Sequence, residues 1–367
     1  MQNEKNPPLF FRVDADEKIG SGHFMRCLAL GQHWKSRGGE VVFISHLGIR
    51  VLAKNLEFEG FDWIPVSKPH PVPDDLEQAL SKLSQTASWP DGGSPWLILD
   101  GYKFDGAYQE AIQGVGRLAV IDDYNHLPRY HSNILINQNI YAERIEYCCD
   151  PGTVVLAGLP YVILRSDFLN RTTAERGVPD KASRLLVTMG GGNQVDTILT
   201  ILGALERVNI PELEVKLVIG LDDSMRERLT EAVTAIDNSR GVRVELVQGT
   251  DMPSLMAWSD MALTACGSTC WELAYMGIPA IVIVLADNQA GIAEGLAEAG
   301  ITEYLGRFDT VNNKDLIHAI ESLAFDYSTR RRRSIQARKL VDGRGASRIL
   351  DVLEGWERET NASIIHG

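Results

Sequence analysis

Three short stretches of this chain bring together residue types that can do chemistry. The first is Ile19-Gly20-Ser21-Gly22-His23-Phe24-Met25-Arg26, which follows an apolar run at Leu9 to Val13 and opens a helical pattern through Phe24, Cys27, Leu28 and Gly31. Glycines permit a tight turn and a close approach of backbone to ligand, and a helix N-terminus favours negative charge. The stretch departs from a dinucleotide fingerprint. Met25 stands at the third glycine position, and the second strand ends in Ser45-His46 with no acid to hold a ribose. Its chemical group is His23, with Gly22 beside it. A histidine can also cap a helix or fill a core. Directly after Gly-Ser-Gly, an imidazole is expected to serve as an acid or base, because histidine exchanges its proton near neutral pH.

The second stretch is Thr264-Ala265-Cys266-Gly267-Ser268-Thr269-Cys270-Trp271-Glu272-Leu273, where a strand gives way to a helix. Gly267, Ser268 and Thr269 would offer backbone N–H groups and hydroxyls to a diphosphate. Glu272, one helical turn past Ser268, has the two acceptor oxygens that a ribose diol needs. A plain capping box has the same residue types at the same spacing, and this stretch alone does not choose between the two. The third stretch, Leu285-Ala286-Asp287-Asn288-Gln289, follows one strand–helix unit later. Asn288 and Gln289 carry both donors and acceptors for sugar hydroxyls, set against a turn and helix cap. Its position after the diphosphate stretch favours the sugar. Gly191, within Gly190-Gly191-Gly192-Asn193, either turns the chain or lines the site opposite His23. Asp14-Ala15-Asp16 mimics a metal-binding acid pair, but no further ligands stand at suitable spacing, so no metal is expected. Arg330 to Arg333 reads as a solvated helix face.

Alternating strands and helices must position these stretches. Short apolar runs at 9–13, 41–44, 96–99, 118–121 and 134–136 read as buried strands, the third and fourth each followed by aspartate. A polar stretch at 170–183 interrupts the pattern, and five more strands follow at 185–187, 215–219, 242–246, 261–263 and 280–284. Such alternation implies right-handed strand–helix–strand units and parallel sheets. The expected organisation is two Rossmann-like domains, 1–180 and 181–367, with ligands in the cleft between them. The chain has 367 residues and a net charge of −13, which argues against nucleic acid or an anionic lipid surface held by bulk charge. With 44% hydrophobic residues, no run of 18 consecutive apolar ones and no apolar leader at the start, it reads as a globular cytoplasmic protein without membrane insertion. Its five cysteines, two of them adjacent, are expected to be free thiols.

The motifs taken together resemble one known family. Arg12-Val13-Asp14-Ala15 leading into Ile19 to His23 and Arg26-Cys27-Leu28 is similar to the opening of the PseG/SpsG family. Further matches are Asp100-Gly101-Tyr102, Ile121-Asp122-Asp123, Asn137-Gln138-Asn139, Gly158 to Tyr161 with Leu164-Arg165, Val187 to Gly191, Gly267 to Glu272, Asn288-Gln289, and Asp342 to Ile349. The best-known activity of that family is the UDP-2,4-diacetamido-2,4,6-trideoxy-β-L-altropyranose hydrolase of pseudaminic acid biosynthesis. The resemblance implies a GT-B fold related to MurG, with metal-independent hydrolysis of a UDP-sugar and no cofactor. It places the catalytic histidine on His23, gives Tyr102 a part in holding water or sugar, and has the last helix cross back to the first domain. The family usually has Asp-Ser-Tyr where this chain has Asp100-Gly101-Tyr102, and an aspartate before Ile134 is missing. Both departures bear on the identity of the sugar. The rival expectations are a GT-B glycosyltransferase that moves the sugar to an acceptor, and a nucleotide-sugar binding protein without catalysis; fold alone does not separate them.

Overall fold

Strands buried on both faces read as unbroken apolar runs, and this chain uses them to build two parallel sheets. The computed structural model describes residues 7–86, 95–171, 177–190, 194–219, 223–237, 242–248 and 251–365. The chain divides into two compact units, one of Met1–Ser166 with Gly343–Gly367 and one of Asp167–Asp342.

The first unit holds β1 (Leu9–Val13), α1 (Gly22–Ser36), β2 (Val41–Ser45), α2 (Arg50–Glu59), β3 (Asp62–Pro65), α3 (Pro73–Thr86) and β4 (Trp96–Asp100). It continues with α4 (Gly106–Gln113), β5 (Arg117–Ile121), β6 (Ile134–Asn137) and β7 (Val154–Ala157). The sheet order is β3-β2-β1-β4-β5-β6-β7, all parallel, with Val13 opposite Asp100 where β1 meets β4. Order reverses between β1 and β4, so the loops leaving their C-terminal ends diverge and open a crevice. Leu9, Phe11 and Val13 pack under Phe24, Cys27 and Leu28 of α1, while Phe10, Leu97 and Leu99 pack against Tyr108 and Ile112 of α4.

In the second unit come α5 (Ser166–Leu169), β8 (Arg184–Thr188), α6 (Val195–Leu205), β9 (Glu214–Ile219), α7 (Asp223–Asp237), β10 (Arg243–Gln248) and α8 (Met252–Trp258). After these follow β11 (Met261–Ala265), α9 (Thr269–Met276), β12 (Ala280–Val284), α10 (Ala290–Glu298), β13 (Thr302–Arg307), α11 (Asn313–Phe325) and α12 (Tyr327–Leu340). The six parallel strands run β10-β9-β8-β11-β12-β13, reversing between β8 and β11. The chain then returns to the first unit as α13 (Gly345–Ile365). There Ile349, Leu350 and Leu353 join the core beside α1, and Trp356 meets Trp96 edge-on at 5.8 Å. Arg37, just past the end of α1, donates to the Ser347 carbonyl and pairs with Asp351 and Glu354. Gly345 is a close-approach glycine: a Cβ there would lie 2.1 Å from the Val162 carbonyl.

The structure departs from the sequence reading in three places. The units part at Ser166, not near residue 180. Phe168 is fully buried, Arg171 contacts Asp251 and Ser254, and Arg330 donates to the Pro179 and Asp180 carbonyls, so 167–180 is part of the second unit. Arg330 is therefore no solvated residue; it is fully buried and also donates to the Leu323 and Ala324 carbonyls at the end of α11. Arg333 is largely buried against Glu303, and only Arg331 and Arg332 of that run are exposed. Three strands were not read from the sequence: β3, β7 and β13 all lie at sheet edges, and of these only β7, Val154 to Ala157, is an apolar run. An edge strand is half solvated and tolerates the proline that ends β3.

Candidate active site

In the first unit the switch point collects ionisable groups from four elements. His23 is the second residue of α1 and Arg26 lies one turn further on the same face. Both face Asp100, the last residue of β4. Nδ1 of His23 stands 2.6 Å from Asp100 Oδ1. Arg26 grips the same carboxylate from Nε at 2.6 Å and Nη2 at 2.7 Å, and reaches Asp123 at 2.7 and 3.0 Å. Tyr102 donates its hydroxyl to Asp123 at 2.5 Å, and its ring meets His23 edge-on at 4.7 Å.

Charge decides the tautomer. Burial alone would raise the Asp100 carboxyl, but Arg26 and then His23 outweigh it and hold it below the ordinary carboxylate range. Burial would raise Asp123 too, and Arg26, His23 and Tyr102 depress it strongly. Both acids are thus anions that only accept. In the neutral ring, His23 Nδ1 carries the proton it donates to Asp100, and the lone pair falls on Nε2. Arg26 Nη2 also lies 3.0 Å from Nδ1, but a guanidinium only donates, so that approach adds no bond in this tautomer. The His23 side chain is 14% exposed, and among the described residues Nε2 has no hydrogen-bond partner. The result is an oriented imidazole with one free basic nitrogen at the sheet's C-terminal edge.

Asp100, Asp123 and Arg26 are the members that residue-by-residue reading did not assign. Their signal was present: an aspartate after each of two buried strands, and an arginine three residues past the histidine. Asn137, Asn139 and Tyr141 complete the shell by donating to the Asp123 carbonyl, and Asn139 also to its carboxylate. Gly22 begins α1 without a left-handed backbone, and a Cβ there would meet nothing within 4 Å, so the space before the helix is open. Asp14 is committed elsewhere: it accepts from Arg12 at 2.6 and 3.0 Å and from the backbone N–H groups of His46 and His70 at 2.8 Å each. Asp16 caps the loop at Lys18 and Ile19. No cluster of three His, Cys, Asp or Glu side chains among the described residues has a metal-holding arrangement.

The second unit presents the other stretches at its own switch point. Ser268 caps α9 by backbone position only, with no side-chain cap bond, so the capping-box geometry is not formed. Ser268 is exposed, Gly267, Thr269 and Glu272 are half-buried, and a Cβ on Gly267 would meet open space. Glu272 sits in the first turn of α9. Asn288 and Gln289 form a short 3-10 turn after β12; Asn288 is exposed, whereas the Gln289 side-chain oxygen accepts from Leu285 N–H at 2.8 Å and closes that turn. Part of Gln289 is therefore structural. Gly191 lies outside the described residues. Within its unit, then, each fold brings the residues of one stretch to the C-terminal end of a central strand.

Comparison with known proteins bears on the same arrangement. Residues 185–348 match the glycosyltransferase family 28 C-terminal domain. The chain is 24% identical over 246 residues to the Bacillus subtilis spore coat polysaccharide biosynthesis protein SpsG, covering 66% of this chain and 71% of that protein. An uncharacterised Methanocaldococcus jannaschii protein is 22% identical over 285 residues, 76% of this chain and 55% of its own length. Among solved structures, Acinetobacter baumannii MurG superposes with a TM-score of 0.66 at 14% identity, over 95% of this chain and all of that one. The S. aureus MnaA–UDP co-structure superposes with a TM-score of 0.63 at 14% identity, over 96% of this chain and 97% of that one. At such identities the structural likeness establishes the fold, which is GT-B; in sequence the chain is similar to SpsG, and its C-terminal unit matches the family 28 C-terminal domain.

Proposed function

We propose that this chain is a nucleotide-sugar hydrolase: it cleaves a UDP-linked acetamido-deoxy sugar at the anomeric carbon and releases UDP and free sugar. The observation that carries this reading is His23, its Nδ1 bound to buried Asp100 and its Nε2 free. In the proposed step a water oxygen attacks the anomeric carbon while its proton passes to His23 Nε2. The bond from that carbon to the β-phosphate oxygen breaks, and its electron pair leaves with UDP. Asp100 stabilises the imidazolium that forms, as a buried carboxylate does for a neighbouring base. Tyr102, whose hydroxyl donates a hydrogen bond to Asp123, is assigned to hold the water or a sugar hydroxyl. The start of α9 at Gly267, Ser268 and Thr269 is assigned to the diphosphate, Glu272 to the ribose, and Asn288 and Gln289 to the sugar. Gly22 and Gly191 are assigned to leaving room for it.

The SpsG kinship supports a place in surface polysaccharide or nonulosonic acid (pseudaminic-acid-like) synthesis, and the UDP in the MnaA co-structure supports UDP as the nucleotide. With the Asp14 oxygens saturated by donors, the diphosphate charge falls to a helix N-terminus and not to a cation. The test is UDP release from candidate UDP-sugars with no acceptor present, before and after EDTA treatment. Turnover in both supports metal-independent hydrolysis. Release that begins only when an acceptor is added would replace hydrolysis by transfer, and loss rescued by Mg²⁺ or Mn²⁺ would return Asp14 and Asp16 to a metal.

A further inference from the structure

A second imidazole in the first unit is built as His23 is. His70 directs Nδ1 at Asp75, 2.9 Å away, and Asp75 is fully buried. Asp75 also accepts from Arg12 Nη2 at 2.6 Å and from the Tyr108 hydroxyl at 2.7 Å. Arg12 is itself fully buried and grips Asp14, which in turn accepts the backbone N–H of His70. Each imidazole therefore leans on a carboxylate held by a buried arginine that also binds a second aspartate: Asp100, Arg26 and Asp123 for His23, and Asp75, Arg12 and Asp14 for His70. An ion network of this kind gains little stability over an apolar core, so it points to a role in orienting something. What it orients is one ring. The His70 ring stacks on Phe104 at 4.7 Å and meets Tyr108 edge-on at 5.0 Å. Among the described residues its Nε2 has no partner, and its side chain is 13% exposed.

The place is as telling as the construction. His23 packs on Tyr102 and His70 on Phe104, two positions apart in the loop that leaves β4. Asp14 follows β1 directly, whose last residue Val13 pairs with Asp100. Both networks thus flank the point where the strand order reverses. His23 accounts for the proton of the attacking water, and Tyr102 is shared between that water and a sugar hydroxyl; no residue assigned so far in the first unit is dedicated to the ring substituents of the sugar. We propose that His70 is a specificity-determining residue of this site, whose Nε2 hydrogen-bonds an amide or hydroxyl substituent on the sugar ring. The inference rests on the nucleotide-sugar reading above.

Two variants separate the two nitrogens. His70→Asn keeps an amide nitrogen where Nδ1 meets Asp75 and removes Nε2. His70→Gln places its amide near Nε2 and gives up the Asp75 bond. With UDP-sugars bearing none, one and two acetamido groups as substrates, His70→Asn is expected to lower kcat/KM about 10–100-fold for the preferred sugar, the cost of one ligand hydrogen bond. It should flatten the preference across the series while leaving the inhibition constant for UDP and the melting temperature unchanged. His70→Gln should melt lower yet retain more of that preference. In histidine-labelled full-length protein, which has eight histidines, the same UDP-sugars should shift the His70 ring resonance, identified by its loss in His70→Asn, and UDP alone should not. If a UDP-sugar shifts His23 but not His70, and His70→Asn keeps wild-type selectivity, the role of His70 is overturned and the nucleotide-sugar reading stands. If no UDP-sugar shifts either ring, both are overturned.

Discussion

On the proposed reading, one bond carries most of the chemistry at the level of single residues, that between His23 Nδ1 and Asp100. Its function is separable from its contribution to folding. His23→Asn preserves size and a donor toward Asp100 but abolishes the basic nitrogen, so kcat should fall about 10²–10⁴-fold with little change in melting temperature. Asp100→Asn should lower kcat comparably for another reason, because an amide can donate to Nδ1 and move the ring proton to Nε2. It should also destabilise the fold, since Arg26 stays buried with one anion fewer. Measuring turnover and thermal stability on the same two proteins checks both; a destabilised His23→Asn with near-normal turnover would make His23 a structural cap. The second network predicts a pH dependence. Burial would raise the Asp75 carboxyl, yet hydrogen bonds from His70 and Arg12, with the Arg12 charge, bring it down to about 2. A depressed acid contributes stability at pH values above its unfolded pKa and loses it as pH falls through the folded one. The loss should therefore develop below about pH 4 and be complete only below pH 2, worth about 2 kcal/mol in all. Urea unfolding of wild type and Asp75→Asn between pH 5 and pH 2.5 tests this, the variant showing the shallower decline.

For the secondary-structure elements, helix starts separate ligand roles from structural ones. Ser268 makes no side-chain cap bond at α9, so Ser268→Ala should leave the melting temperature within about 1 °C, because a cap that is not formed cannot be lost. On the proposed assignment it should still weaken inhibition by UDP. Glu272→Ala should raise KM for the UDP-sugar and the UDP inhibition constant together, as loss of a contact made equally in ground and transition states does. The opposite end of the same helix is the control. Gly277 takes a left-handed backbone, and a Cβ there would stand 2.9 Å from Ser334 Oγ and closer still to Arg338. Gly277→Ala should cost about 1 kcal/mol or more of stability and leave UDP inhibition unchanged in the protein that remains folded. An unaltered UDP inhibition constant in both Ser268→Ala and Glu272→Ala would remove the nucleotide from this loop.

The first unit, taken with the whole molecule, is completed only by the end of the chain. Ile349, Leu350 and Leu353 are fully buried in its core, and Gly345 meets the Val162 backbone too closely for any side chain. Deleting residues 343–367 should therefore expose that face and leave the first unit aggregation-prone, while a fragment spanning 167–342 should retain its helical circular dichroism; limited proteolysis of the two fragments checks this. No helix among the described residues is long and apolar enough to cross a membrane. The sequence by itself determined the alternation of buried strands and helices, the parallel sheets and the glycine-bearing helix starts, since apolar runs, turn residues and caps are local properties. It also singled out His23 as the candidate chemical group of its stretch. Only the tertiary structure decided what His23 is bound to. Asp100 lies 77 positions away in sequence and Asp75 lies 63 from Arg12, so the first pair exists only once α1 and β4 meet beside β1, and the second only once α3 packs on the sheet. The same holds for Arg330, a charged residue within an arginine run, which the fold buries because four backbone carbonyls converge on its guanidinium. Residue type and spacing report local propensity; partners in an ion network are chosen by strand order, which no local pattern contains.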